Sequence, residues 1–263
     1  MPGDVELPAA PALTFQVLSW TFDTAVPAAS LFSHLTTRLL IPSMSDSQDL
    51  LPSSTSPYIL DQKVIAHGKY QGLATVTYVD PRDAKKIPRE RDFIFLVNRP
   101  RSEPVGTLMP NTYKDSEGRW CTVLVQQFRP QYERDTVEFP AGFVSRTRGE
   151  TAEQAAVREM EEETTKTGAA AAVSPPLTSE PVRIAARLTG VLLDAADKAG
   201  GDAGKQRLDK GEFAEEQVVP LLELEDRLQR FADDGVIVDP RVWTFAMGIR
   251  CALQLGLGDA SSP

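Results

Sequence analysis

An α+β layered fold is predicted by three features of the 263-residue chain. Short β-branched and aromatic runs come first, a strongly apolar strand leads into one well-marked helix, and a further strand and a further helix close the sequence. That length accommodates one large domain, or a main domain with a smaller companion, with a proper core in either case.

The elements follow in order. Residues 1–56 mix Pro, Ala, Ser and Thr with pieces such as LTFQVLSW and hold no sustained period, so a disordered leader with one short helix is expected. Arg38 is the one basic residue among the first 43, and Asp4 and Glu6 come early, which fits neither a secretory signal nor an Arg-rich transit peptide. Met44 opens a Ser/Asp/Pro-rich stretch and reads as the true or an alternative start. Order is expected from Tyr58. YILDQKVIAHGKY, LATVTYVD and DFIFLVN, separated by Gly72 and a DPRD turn, predict a small antiparallel sheet within a module spanning 57–104. The main domain, 105–257, carries the strand WCTVLVQQF and later VRIAARLTGVLLDA, and a tail covers 258–263. Thr151 followed three residues on by Gln154 has capping-box spacing, which starts a helix running to about Thr165. Asp239-Pro240 starts a second helix, a capping residue before proline at the first helical position. KAGGDAGKQRLDKG reads as a mobile surface loop.

With 37 acidic against 28 basic side chains, net −9, the surface repels nucleic acid and anionic membrane. No stretch approaches the roughly 20 apolar residues of a membrane span. Cys121 and Cys251 both sit in apolar runs and read as buried, reduced thiols, which suits the cytoplasm.

The chemistry concentrates in AAVREMEEET. On a helix, Glu159, Glu162 and Glu163 fall on neighbouring positions with β-carbons roughly 5–6 Å apart, a small patch of like charge that a bound divalent cation stabilises. Magnesium takes oxygen ligands and keeps several waters, which suits one or two carboxylates plus substrate phosphate. Arg158 can reach Glu161 or Glu162 one turn on and hold a carboxylate with its guanidinium. Charge pattern alone would read this stretch as a solvated face. The surroundings favour the metal site: EFPAGF is an acidic Pro-Ala-Gly turn exposing carbonyls near the helix start, and QFRP ends a strand with Arg129.

In the order VLVQQFRP, EFPAG and GETAEQAAVREMEEET, the chain resembles the Nudix hydrolases, with QFRP and EFPAG similar to the ADP-ribose (ADP-sugar) pyrophosphatase branch. The resemblance covers about residues 58–255, including GKYQ, TYVDP, GEF at Gly211–Phe213 and VDPRVWTFAMG. It implies a Nudix α/β/α sandwich preceded by the small N-terminal sheet. Seven residues separate Gly142 from Glu150, two more than the family signature, with SRTR supplying the excess. Thr165 stands where the signature has glycine, so Gly168 is expected to end the helix instead. SEPVRIAAR replaces a Gly-rich loop, which bears on sugar selectivity. The metal geometry is expected to survive the longer turn and the loss of that glycine.

By that resemblance, Glu159 and Glu163 are the main magnesium ligands, the Ala141 carbonyl completes the inner shell, and Glu162 binds a further ion or water. Manganese is the alternative ion. Arg158 orients the carboxylates and, with Glu162, belongs to the catalytic set. Arg129 and Arg99 hold the diphosphate, and Gly142, first glycine of the signature, stands among the substrate-contacting positions. Glu212 in GEF is the candidate base on a closing loop; without the resemblance it reads as an ordinary loop carboxylate. Tyr70 either stacks on adenine or packs on its strand neighbour. A homodimer is implied, with the N-terminal sheet reaching across to the partner. The expected activity is magnesium-dependent hydrolysis of ADP-ribose to AMP and ribose 5-phosphate. The alternatives are a UDP-sugar or an oxidised nucleoside diphosphate as substrate, or an inactive nucleotide-binding module.

Overall fold

The computed structural model describes residues 56–101, 103–209 and 212–256. The leader apart from Ser56, its short helix, Met44 and the tail all lie outside the described residues. Strands β1 (Tyr58–His67), β2 (Gln71–Val79) and β3 (Arg89–Leu96) form the expected antiparallel meander. They are followed by β4 (Pro104–Leu108), β5 (Asn111–Lys114), β6 (Trp120–Arg129), β7 (Arg134–Glu138), β8 (Ala141–Phe143), helix α1 (Ala152–Glu163), β9 (Lys166–Val173), β10 (Leu177–Glu180) and β11 (Ile184–Asp197). The chain continues through β12 (Ala214–Pro220), α2 (Leu224–Asp233), β13 (Ile237–Val238) and α3 (Pro240–Gln254).

The 14-residue β11 is the spine. Its first half pairs with β3 at Ile184↔Ile94, with β4 and with β10; its second half pairs with β9 and β5. Beyond β5 the order runs through β6 and β7 to β13, with β12 on the other edge of β6. Strand alternation sends successive side chains to opposite faces, and the core divides accordingly. On one face Ala156 and Met160 of α1 pack with Met109, Val191 and Leu193. On the other, Leu124, Val137 and Phe139 pack with Leu224, Leu228 and Phe231 of α2 and with Val242 and Ala246 of α3. Helices on both faces of the sheet make the α/β/α sandwich.

Both expected helix starts are present. Thr151 and Gln154 form a reciprocal capping box, and Asp239 accepts from the Arg241 amide at 2.7 Å ahead of Pro240. Four expectations are corrected. Helix α2 was not anticipated, although Leu224, Leu228 and Phe231 mark one helical face. Cys251 is exposed, because it lies on the outer side of α3, while Cys121 is buried as expected. Gly168 lies inside β9, paired with Ala195, and ends no helix; Thr164 caps α1 with extended backbone, its hydroxyl donating to the Met160 carbonyl at 2.6 Å. The Gly-rich segment after β11 is bonded to the end of α1 rather than standing free, and SEPVRIAAR forms the β10–β11 hairpin.

Candidate active site

Helix α1 and strand β8 touch along one line, and glycine makes the contact possible. A β-carbon on Gly142 would lie 1.9 Å from the Glu159 carboxyl carbon, so only a bare backbone lets that carboxylate rest on the strand. Gly106, on the paired strand β4 opposite Phe143, is also needed bare, since a β-carbon there would meet the Gly142 carbonyl at 2.6 Å.

Arg158 is the hub of this line. Its Nε donates to Glu150 Oε1 (2.7 Å), its Nη1 to Glu159 Oε1 and Glu162 Oε2 (both 2.8 Å), and its Nη2 to Glu150 Oε2 (3.1 Å) and the Phe143 carbonyl (3.0 Å). Of the two acids one turn on, it takes Glu162; Glu161 turns away to Thr167 and Arg207. The bonds to Glu150 hold the Arg158 guanidinium charged well beyond its usual range, and Arg158 in turn holds the Glu150 carboxyl low. Glu150 received no role from the sequence. It reaches the hub because the SRTR excess closes into a 3-10 turn, Arg146–Arg148, ended by Gly149 in the left-handed region at φ 61°, while Ser145 N donates to Glu150 Oε2 at 2.8 Å. The longer turn is therefore absorbed outside the helix.

Glu163 differs from its neighbours. It is 7% exposed and accepts the Ala141 amide at 3.2 Å, with no cation among the described residues bonded to it. Burial, aided by the charges of Glu159 and Glu212, pushes its carboxyl up to about 8, against the opposing pull of the Ala141 amide and Arg129. Glu159 is also raised, chiefly by burial, with Arg158 opposing. The charge of Glu212 thus falls on both carboxylates. The Glu212 side chain accepts the Asp209 amide at 3.0 Å.

As placed, no three His, Cys, Asp or Glu side chains among the described residues share a metal-holding position. Glu159 and Glu162 face Arg158, and Glu163 faces the Ala141 amide. The donor set nonetheless fits a hard divalent cation in kind: a buried oxygen ligand destabilised as an anion, two further carboxylates beside it, and an Ala141 backbone at the same place.

The remaining predicted residues are spread around this cluster. Arg129 makes a two-point contact with Glu138 (2.7 and 2.8 Å), which the Thr136 hydroxyl also contacts. Glu138 was quoted in EFPAG without a role; its place opposite Val125 on β6 brings it within reach of Arg129. Arg99 donates to the Val144 carbonyl at 3.1 Å and lies 5.4 Å over the Phe143 ring, beside the end of β8. Tyr70 sits in the turn between β1 and β2, 69% exposed, with Lys69 Nζ 4.8 Å from its ring, outside the bonds around α1.

The NUDIX domain model matches residues 106–238, which span β4 to β13 and include every acid of the cluster. The chain belongs to the Nudix family and is a Nudix hydrolase, a class of enzyme that uses divalent metal ions. It is 30% identical over 198 residues to an ADP-sugar pyrophosphatase of Mus musculus, covering 74% of this chain and 88% of the mouse protein. It is 32% identical over 193 residues to an ADP-ribose pyrophosphatase of Saccharomyces cerevisiae, covering 71% and 79%. Its fold resembles a solved ADP compounds hydrolase, with a TM-score of 0.52 at 17% identity over 76% of this chain and 95% of that one.

Proposed function

We propose that the chain hydrolyses the diphosphate of ADP-ribose to AMP and ribose 5-phosphate, with magnesium as its ion and manganese able to substitute. The observation that carries this reading is the buried Glu163, without a bonded cation among the described residues, beside Glu159 and Glu162, which Arg158 holds. The mouse ADP-sugar pyrophosphatase and the yeast ADP-ribose pyrophosphatase to which the chain is similar suggest the substrate class.

Glu159, Glu162, Glu163 and the Ala141 carbonyl would hold the ion, which when bound offsets diphosphate charge and acidifies water. Arg158 keeps Glu159 and Glu162 from recoiling from one another and fixes the acid patch against β8. Arg129, already oriented by Glu138, presents its outer edge to the diphosphate, and Arg99 lies beside the same strand end. Glu212 accepts the proton of the attacking water as its oxygen bonds to phosphorus and the bridging P–O bond breaks. Exchanging its hold on the Asp209 amide for that proton is the movement required of its segment. Gly142 keeps the floor of the site flat, and Tyr70 offers an exposed ring for the base. A homodimer is supported by the apolar side chains Tyr58, Ile59, Leu60 and Ile65 that β1 leaves exposed. No helix among the described residues is long and apolar enough to cross a membrane.

Incubation with magnesium and a panel of ADP-ribose, ADP-glucose, UDP-glucose and oxidised dGDP, with products resolved by chromatography, tests the reading. AMP and ribose 5-phosphate are expected from ADP-ribose at the highest rate. Preference for another member replaces the substrate, and turnover of none overturns the proposed activity. Glu212→Gln should lower kcat by about 10²–10⁴-fold; near-normal turnover would remove Glu212 as the base.

A further inference from the structure

The C-terminal end of α1 is capped from a distance. The last carbonyls of a helix have no partner within it, and here four successive ones are taken by the segment after β11. Lys198, 8% exposed, donates from Nζ to the carbonyls of Glu161 (2.5 Å), Thr164 (2.7 Å) and Lys205 (2.6 Å). The Arg207 amide donates to the Glu162 carbonyl at 2.8 Å. Gln206 Nε2 donates to the Glu163 carbonyl at 2.5 Å and to the Ala214 carbonyl at 3.0 Å. One amide group therefore joins the residue carrying the buried acid to the residue that opens β12, two positions after Glu212. A second strap lies alongside, where Glu216 of β12 accepts the Thr165 amide (2.5 Å) and hydroxyl (2.8 and 2.9 Å).

An ammonium at the negative end of a helix makes charge-assisted bonds with the helix dipole behind them. Burying Lys198 lowers its affinity for a proton, yet its Nζ has three acceptors and stays in place. At the same time these bonds fold the segment back over α1, so that Asp209, whose amide and carbonyl hold Glu212 at 3.0 Å each, is carried by the same unit.

We propose that Lys198 and Gln206 are positioning residues for the hydrolysis: they bind the segment bearing Glu212 to the end of α1 bearing Glu163, so that base and acid cluster keep one registry. The inference rests on the assignment of Glu212 above. A cap that merely stabilised the helix would leave turnover unaffected once the protein is folded. A registry device loses rate first, because a misplacement of about 1 Å costs on the order of 10² in turnover.

The test uses the full chain with Lys198→Met, which keeps the apolar stem, and Gln206→Leu, which removes the donor at a half-buried site. Three quantities are read: kcat and KM for ADP-ribose, affinity for Mn²⁺ alone, and amide hydrogen exchange along the chain. Both variants should lose about 10- to 100-fold in kcat with KM and Mn²⁺ affinity within about threefold. Exchange should rise at 204–216 and stay unchanged in β1–β3. Turnover within about twofold of the unaltered protein, or unchanged exchange at 204–216, overturns the inference. Loss of protection throughout Lys198→Met marks unfolding, and Gln206→Leu then decides. If the unaltered protein turns over none of the panel, the activity reading fails, and the tether stands or falls on exchange.

Discussion

The two ends of α1 are held by different means. At the N-terminal end the partners are neighbours in sequence: Thr151 with Gln154 three residues away, and Glu150 with Arg158 eight away. At the C-terminal end they are 34 to 43 residues distant, Lys198 and Gln206 reaching back to the carbonyls of Glu161, Thr164 and Glu163. The acids differ in step. Glu159 and Glu162 share the Arg158 guanidinium, whereas Glu163, one position further on, is buried with no cation bonded to it among the described residues. The helix thus pairs a finished, rigid half with a half that stays electrostatically open and depends on a distant segment for its shape.

Breaking the finished half should have the largest effect. Arg158→Met leaves Glu150, Glu159 and Glu162 facing one another with side chains 8%, 15% and 27% exposed. Removing one partner of a largely buried charge network is expected to cost about 2–4 kcal/mol, read as a lower urea midpoint. The rate should fall by about 10³-fold as the acids swing apart. If the variant keeps both stability and turnover, Arg158 is not the element that makes this half rigid.

The open half is sharpened by pH. Glu163 titrates at about 8 in the folded, metal-free protein against a reference value of 4.5. The folded state therefore keeps a proton that the unfolded chain releases, and stability falls as pH rises from about 4.5 to about 8, with little change from this group on either side. In chelator, Glu163→Gln should flatten that slope and unfold at higher urea than the unaltered protein above pH 8, since Gln keeps an acceptor for the Ala141 amide and carries no charge. Added Mg²⁺ should reverse the slope for the unaltered protein alone. Equal slopes with and without the substitution would assign the pH dependence elsewhere.

The same division governs what the sequence discloses. Where a structure is made by residues a few positions apart, its chemistry is written locally: the capping box, the Asp239-Pro240 start, the alternation of β1–β3 and the spacing of Arg158, Glu159 and Glu162 all appear as short patterns. The cap on the far end of α1 has no local pattern, because Lys198 and Gln206 acquire their role only when β9 and β11 pair and bring residue 198 beside residue 164. A Gly- and charge-rich composition then reads as a loose loop. Glu138 was hidden for the same reason, being joined to Arg129 across the β6–β7 pairing. Helix α2 is a different case: its apolar period was present but short, and an Asp/Glu/Arg-rich stretch of ten residues gives a weak signal.

The smallest effect is expected at the most legible feature. Thr151→Ala removes one acceptor from the capping box and leaves Gln154 bonded to the residue 151 amide, a loss of about 1 kcal/mol. Turnover should stay within about twofold, because the cap lies two turns from Glu159 and Arg158 remains anchored to Glu150 and Phe143. Lys198→Met should therefore slow the enzyme far more than Thr151→Ala while both shift the unfolding midpoint. Were Thr151→Ala to cost the greater rate, the N-terminal end would be the one that sets the site, and the contrast between the two ends of α1 would be inverted.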